Sequence, residues 1–288
     1  MDLDEFKNDI NNLSTKNTNN ITQIRKNVLL SYVSDATGCG HIRNVFPLTY
    51  LNALFGKNQT LIPIISPMFI WQEDILIRAK TILFQRQMSP AHYSLIRKYK
   101  DLQPKYGYKM VYDIDDFVWG HNEQQGGSKE DGVPSYNFGW KGITDEIKQY
   151  SLEIIKLMDR VTVSSEYLKY WLSEVEGITV PIIVMQNSVP KYLWGSSKKA
   201  PKKQPIKIPR VIYTGSPTHY SNQDKLLGDF DNSYREFIVK NVLNGKINFT
   251  CMGSLPWFFE GIKDKIQVIP WLNSYMYQTG VKSARADI

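Results

Sequence analysis

The sequence predicts an α/β protein made of two doubly wound domains that face a shared cleft. Three observations carry this. Short runs rich in Val, Ile, Leu, Phe and Tyr lack sustained polar alternation, which is how strands buried on both faces read. Helix-length segments separate most of them, the order that builds parallel sheets. One strand near the start of each half empties into a loop with glycine and histidine, placing bare backbone N–H groups at the carboxyl edge of a sheet.

The elements follow in order. Residues 1–26 are polar and Asn-rich and read as a short helix with a mobile lead-in. A strand at 28–33 leads through Gly38-Cys-Gly40-His41-Ile-Arg43 into a helix at 41–55. Strands follow at 60–65, 81–86, 109–114, 160–164 and 180–186, with helices at 89–102, 142–158 and 165–175. The stretch 120–141 holds Gln-Gln-Gly-Gly-Ser-Lys-Glu-Asp-Gly, and loops of that length are usually functional or disordered. Four prolines between 189 and 209, with Lys198, Lys199, Lys202, Lys203 and Lys207, break the pattern. The expected domains are therefore 27–190 and 209–288, joined by a basic linker at 191–208. In the second half strands are expected at 209–215, 246–252 and 265–270, with helices at 222–244 and from about 272. Three strands are few for a free-standing doubly wound sheet, so this domain reads as incomplete: either more sequence once followed, or it is a remnant that leans on the first domain, with a second chain as a candidate to complete it.

Composition narrows the partners. The 288 residues are 42% hydrophobic and 22% charged, as in a globular protein. A net charge of +7 suits an anionic partner: a nucleotide diphosphate, nucleic acid or an acidic lipid surface. Two cysteines, Cys39 and Cys251, are too few for a metal set, and sparse cysteine fits a reducing cytoplasm. The acidic start Met-Asp-Leu-Asp-Glu is not a signal peptide, and no apolar run approaches the ~20 residues of a spanning helix.

Three motifs carry chemistry, each with a plainer reading. Gly38-Cys-Gly40-His41-Ile-Arg43 begins like a dinucleotide fingerprint, but Arg43 stands where the third glycine belongs, which argues against NAD. His41 and Arg43 would meet an anionic donor or an acceptor hydroxyl; the plain reading is a wet turn. Asp113-Ile-Asp115-Asp116 leaves a strand end with three carboxylates. They read as an Asp-x-Asp metal site, as metal-free hydrogen-bond acceptors for a sugar or acceptor hydroxyl, or as a helix cap. Gly215-Ser216-Pro-Thr218-His219 offers hydroxyls and amides to phosphate, but lacks the Gly-Lys-Ser/Thr of a P-loop; the plain reading is a turn. His92 and His121 are isolated and read as surface residues, and Trp257-Phe258-Phe259 is a candidate pocket wall.

These stretches, with Val161-Thr-Val-Ser164-Ser165, Asn187-Ser-Val189-Pro190 and Tyr112-Asp-Ile-Asp115-Asp116-Phe-Val-Trp119, resemble GT-B glycosyltransferases of the family 4 kind, in a branch common in bacteria and phages. The resemblance implies two Rossmann-like domains, a nucleotide-sugar donor held mainly by the second, and an acceptor glycan, lipid-linked glycan or nucleic acid held mainly by the first. It also implies retention of configuration without metal or cofactor. Carried onto this chain, Asp115, Asp116 and His41 are the catalytic candidates. Gly215, Ser216, Thr218, His219 and Lys225 are the donor candidates, and Gly38, Gly40 and Arg43 line the acceptor side. The family's Arg/Lys pair for the diphosphate is not evident beyond Lys225, and its Glu-x7-Glu segment would fall beyond Ile288. Two alternatives stand beside a sugar transferase: a non-catalytic partner subunit of the same fold, and a transferase acting on hydroxylated bases in DNA.

Overall fold

The computed structural model describes residues 27–35, 38–55, 62–119, 145–189, 207–215, 231–273 and 275–287, the side chains of 52–55 excepted. The chain divides into two compact units: Met1–Asp116 with Asp145–Ser188, and Phe117–Thr144 with Val189–Ile288.

The first unit is built on six parallel strands. They are β1 (Val28–Tyr32), β2 (Ile62–Ser66), β3 (Ala79–Gln85), β4 (Lys109–Ile114), β5 (Arg160–Val163) and β6 (Ile182–Val184), in the order β2-β1-β3-β4-β5-β6. Their apolar runs are buried as the sequence expects: Leu30, Ile82, Phe84, Met110, Tyr112, Val161 and Val163 are fully enclosed. The registers Leu30↔Ile82, Phe84↔Tyr112 and Tyr112↔Val161 stack these side chains into one core across four strands.

Helix α1 opens at Gly38–Gly40, passes through a π-helical turn at His41–Val45 and continues through Phe46–Phe55. A π turn inside an α-helix inserts a residue and rotates the side chains after it; such turns gather at functional sites. A six-residue helix α2 (Glu73–Arg78) runs directly into β3. The sequence reading assigns nothing there, because a helix this short shows no period.

Helix α3 (Pro90–Tyr106) is stopped at both ends by local chemistry. The Ser89 hydroxyl accepts from the His92 amide, and His92 Nδ1 accepts from the Ser89 amide, a reciprocal capping box. Gly107 ends the helix at φ 65°, a left-handed turn that glycine adopts without cost. His92, expected on the surface, is thus partly buried in a capping role beside Phe69, and burial lowers its pKa. Helices α4 (Asp145–Lys156) and α5 (Glu166–Tyr170), the latter running into a second π turn at Trp171–Val175, complete the unit. The expected N-terminal helix and the loop at 120–141 lie outside the described residues.

Aromatic residues brace the β1–β3 side of the sheet. The hydroxyls of Tyr32 and Tyr99 lie 2.6 Å apart, the Tyr99 hydroxyl donates to the Ile70 carbonyl at 2.6 Å, and the Ile70 amide donates to Tyr32 at 3.0 Å. Burial pushes the Tyr32 phenol up to about 12, so it stays a neutral hydrogen-bonding group.

Among the described residues the second unit has three parallel strands, β7 (Arg210–Gly215), β8 (Asn248–Gly253) and β9 (Gln267–Ile269), in that order. Helix α6 (Asn232–Leu243), capped by Asp231, a 3₁₀ helix (Trp257–Lys265) and helix α7 (Tyr277–Ala284) accompany them. The core holds Ile238, Val242, Phe249, Cys251, Phe259 and Ile262. Cys39 and Cys251 are both free.

Gly215 and Gly253 stand opposite one another where β7 and β8 end. A Cβ on Gly253 would lie 2.4 Å from the Gly215 carbonyl oxygen, and its φ of 112° suits glycine alone. Gly253→Ala therefore costs about 2 kcal/mol or more, while Gly261→Ala, whose new Cβ meets open space, stays within about 0.5 kcal/mol. Thermal unfolding of the two variants measures the contrast; equal melting temperatures would refute it.

Candidate functional site

Strand order locates a crevice in the first unit. From β1 the chain moves to β2 on one side, then crosses to β3 on the other. The connections leaving β1 and β3 diverge at their carboxyl ends, and in open parallel sheets ligands bind at that switch point. The segments arriving there are Ser34–Asp35 after β1, the start of α1, Gln85–Arg86 at the end of β3, and Asp113–Asp116 at the end of β4.

Gly40 is required by this geometry. A Cβ at Gly40 would overlap the Asp35 carbonyl at 1.9 Å, and the Gly40 amide donates to Asp35 Oδ1 at 3.3 Å. Gly38 differs: a Cβ there meets nothing. An amide of the helix start is thus already bonded to a carboxylate of the chain, which suits the positive helix end.

Around this turn the polar groups interlock. Gln85 is fully buried; its amide donates to the Cys39 carbonyl at 3.1 Å, and its Oε1 accepts from the Ser34 amide at 3.2 Å. Arg86 adopts a left-handed φ of 47°, a costly conformation for a side-chain-bearing residue, and such strain gathers at functional sites. Its guanidinium donates to Asp35 Oδ2 at 2.7 Å and to the Ser34 hydroxyl at 3.1 Å, and lies 3.7 Å from Asp115 Oδ1. Asp116 also falls within its field. One guanidinium is therefore met by three carboxylates.

The adjacent carboxylates separate. The Asp115 side chain is 5% exposed, whereas Asp116 faces solvent. Cys39 donates its thiol to the Asp115 carboxylate, but the Oδ1 atom is buried and accepts no hydrogen bond. Desolvation raises the Asp115 pKa, with Arg86 pulling the other way, and burial pushes the Cys39 thiol up to about 12, so it stays protonated.

That shift has a consequence for stability. Above the ordinary carboxylate range the folded state keeps a proton that the unfolded chain releases, so stability falls as pH rises through the folded-state value. Asp115→Asn carries no such cost. Its melting temperature relative to the parent should rise between about pH 3.5 and pH 7. A difference that is flat with pH, or falls, would contradict the buried carboxyl.

Arg43 sits elsewhere. It is 3% exposed and forms a two-pronged pair with Asp113: Nε donates to Oδ2 at 3.1 Å and Nη2 to Oδ1. Its Nη1 donates to the Met185 carbonyl and to Asn187 Oδ1, the latter at 3.3 Å. Thr162 donates to Asp113 Oδ1 at 2.6 Å. The arginine thus ties α1 to β4 and to the segment after β6 instead of reaching toward solvent. His41 opens the π turn, partly buried, its ring 5.4 Å from that of Phe46.

The structure brings Gly40, Asp115 and Asp116 to one crevice, and adds Ser34, Asp35, Gln85 and Arg86, which the sequence reading missed. A signal for two of these was present: Gln85-Arg86-Gln87 puts three polar residues where an apolar strand closes. In the second unit Gly215 ends β7 beside Gly253, while Ser216, Thr218, His219 and Lys225 lie outside the described residues. Phe259 is core; Trp257 and Phe258 line a shallow groove of about 690 Å³ with Arg235, Val239, Lys240 and Leu243. Among the described residues no group of three or more His, Cys, Asp or Glu side chains is placed to hold a metal ion, and no helix is long and apolar enough to cross a membrane.

No protein-family model matches the chain, and no curated protein matches it. Among solved structures it is similar to sucrose-phosphate synthase from Thermosynechococcus elongatus, with a TM-score of 0.47 and 12% sequence identity, over 90% of this chain and 74% of that one. The likeness is one of chain outline and says nothing of chemistry.

Proposed function

We propose that this chain is a glycosyltransferase that moves a sugar from a nucleotide-sugar donor to a hydroxyl of an acceptor, with retention and without metal. The crevice at the β1/β3 switch point carries the reading. Its carboxylates repel phosphate but accept hydrogen bonds from a polyhydroxylated ligand, and Asp115 Oδ1 is a buried acceptor with no hydrogen bond of its own. The first unit then holds the acceptor. Asp115 orients the attacking hydroxyl, Asp116 contacts the wetter part of the ligand, and His41 borders the site. Gly40 lets Asp35 close the turn beneath the site, and Gly38 leaves its backbone open to the ligand. Arg43 acts from behind, holding α1 in place.

The donor falls to the second unit. The Gly215 strand end, with Ser216, Thr218, His219 and Lys225, supplies amides, hydroxyls and positive charge to the departing diphosphate, the largest stabilising term when such a group leaves. Hydrogen–deuterium exchange with a panel of nucleotide sugars tests the reading. Protection is expected at Gly215 and the residues after it with at least one donor. No protection there, or around Ser34–His41, with any donor would refute it. Turnover measured with excess EDTA should equal turnover without it.

A further inference from the structure

Asp115 Oδ1 accepts no hydrogen bond, although a guanidinium stands beside it. Arg86 Nε lies 3.7 Å away, near enough for its charge to act. It is beyond the reach of a hydrogen bond, about 2.7–3.2 Å. Arginine and a buried carboxylate usually close such a gap into a two-pronged pair, as Arg43 and Asp113 do in the same unit. At Arg86 and Asp115 the two partners are held apart.

The guanidinium is bound from the β1 side. Ser34 Oγ accepts from Nε at 3.3 Å and from Nη2 at 3.1 Å, and Asp35 Oδ2 accepts from Nη2 at 2.7 Å. Asp35 is itself tied by the Ser34 hydroxyl at 2.9 Å and the Gly40 amide at 3.3 Å. The left-handed backbone at Arg86 is fixed from three directions. The Gln85 side chain bonds the Ser34 amide and the Cys39 carbonyl, the Arg86 amide donates to the Asp113 carbonyl at 3.0 Å, and the Tyr112 hydroxyl donates to the Gln87 carbonyl at 3.2 Å. Strained residues persist where their surroundings over-determine them in this way. Across the gap, the Ser164 hydroxyl donates to the Asp115 carbonyl at 2.6 Å. The charged and titratable groups near Asp115 are Cys39 and Arg43 of α1, Arg86 after β3 and Asp113 of β4, with Asp35 and Asp116 around Arg86. Asp113 engages Arg43, so Arg86 is the cation that acts most on Asp115.

We propose that Arg86 is a positioning residue of the crevice: Ser34 and Asp35 hold its guanidinium so that it lends Asp115 positive charge without taking Oδ1, which is kept for a hydroxyl of the ligand. The nearby charge favours the ionised carboxylate, and an ionised acceptor makes the stronger hydrogen bond. Asp35 is as necessary to this as Arg86. Without its pull the guanidinium swings onto Asp115 and occupies the oxygen that the ligand needs. The ligand's part in this rests on the sugar-transfer reading; the hold of Arg86 on Asp115 does not.

The test follows the pH at which Asp115 titrates, read as the gain in melting temperature from Asp115→Asn in each background between about pH 3.5 and pH 8. In the parent that gain rises with pH and levels off at the folded-state pKa. Arg86→Met removes the charge, so the levelling should move up by about one pH unit or more. Arg86→Gly accepts the left-handed backbone without strain and should show the same upward move, which covers a methionine variant that fails to fold. Arg86→Lys keeps the charge and should stay within about half a pH unit of the parent. Asp35→Asn should move the levelling down, as Arg86 closes on Asp115. Levelling at the parent's pH in the methionine and glycine variants, or an upward move in Asp35→Asn, would overturn the proposal. Nucleoside diphosphate release with acceptor present is the second readout, and Arg86→Met and Asp35→Asn should each lower it by about tenfold or more. Unchanged release in these variants of an active parent would also overturn it. A parent that releases none would refute the sugar-transfer reading, while the titrations still decide on Arg86.

Discussion

Replacing Arg43 by alanine should lower the stability of the first unit by about 3–5 kcal/mol, the usual cost of breaking a buried pair by removing one partner. The reason is Asp113, which would keep its charge in an interior site with Thr162 as a remaining donor. The loss extends beyond the pair, because Arg43 also holds Met185 and Asn187. A melting temperature lower by about 10 °C is the expected reading. Arg43→Met combined with Asp113→Leu removes both charges and should recover more than half of the loss. If Arg43→Ala melts within about 2 °C of the parent, the interior role is wrong.

Replacing Asp115 by alanine should lower the rate of nucleoside diphosphate release in the presence of acceptor by about 10²–10³-fold, the usual effect of deleting one preorganised polar group at a reacting centre. Asp116→Ala, at an exposed carboxylate, should stay within about threefold. The pair discriminates because the residues are adjacent and chemically identical, and differ in which way they face. Asp116→Ala should unfold at a temperature close to the parent. Equal losses in the two would assign the effect to net charge rather than to an oriented acceptor. This expectation rests on the sugar-transfer reading; the Arg43 result does not.

Much of the framework was legible in the chain. All nine strands of the two sheets lie within a few residues of the expected runs, because a strand buried on both faces must be apolar along its length. The short helix Glu73–Arg78 and the 3₁₀ helix Trp257–Lys265 were not legible, one for lack of length and the other for lack of a helical period. Helix α6 begins at Asn232 among the described residues, within the expected 222–244.

The crevice was legible only in part. Gly40 and the Asp115-Asp116 pair stand out because glycine and adjacent carboxylates are costly without a reason. Asp35 and Arg86 do not, since each is an ordinary charged residue until the fold sets them 2.7 Å apart across 51 positions of sequence. Arg43 was expected to face a ligand, as a charged residue in a glycine-rich turn usually would. Its partner Asp113 lies 70 residues away, and that pairing turns it inward.

The sequence by itself determined the strands, their parallel order of strand and helix, and the two points where glycine must stand at a sheet's carboxyl edge. These depend on local period and on backbone conformation, which neighbours in sequence control. Only the tertiary structure decided which charges are enclosed and which are offered. It buried Arg43 against Asp113 and turned Asp115 in and Asp116 out. Burial and pairing are set by residues far apart in the chain, and no local pattern carries that information.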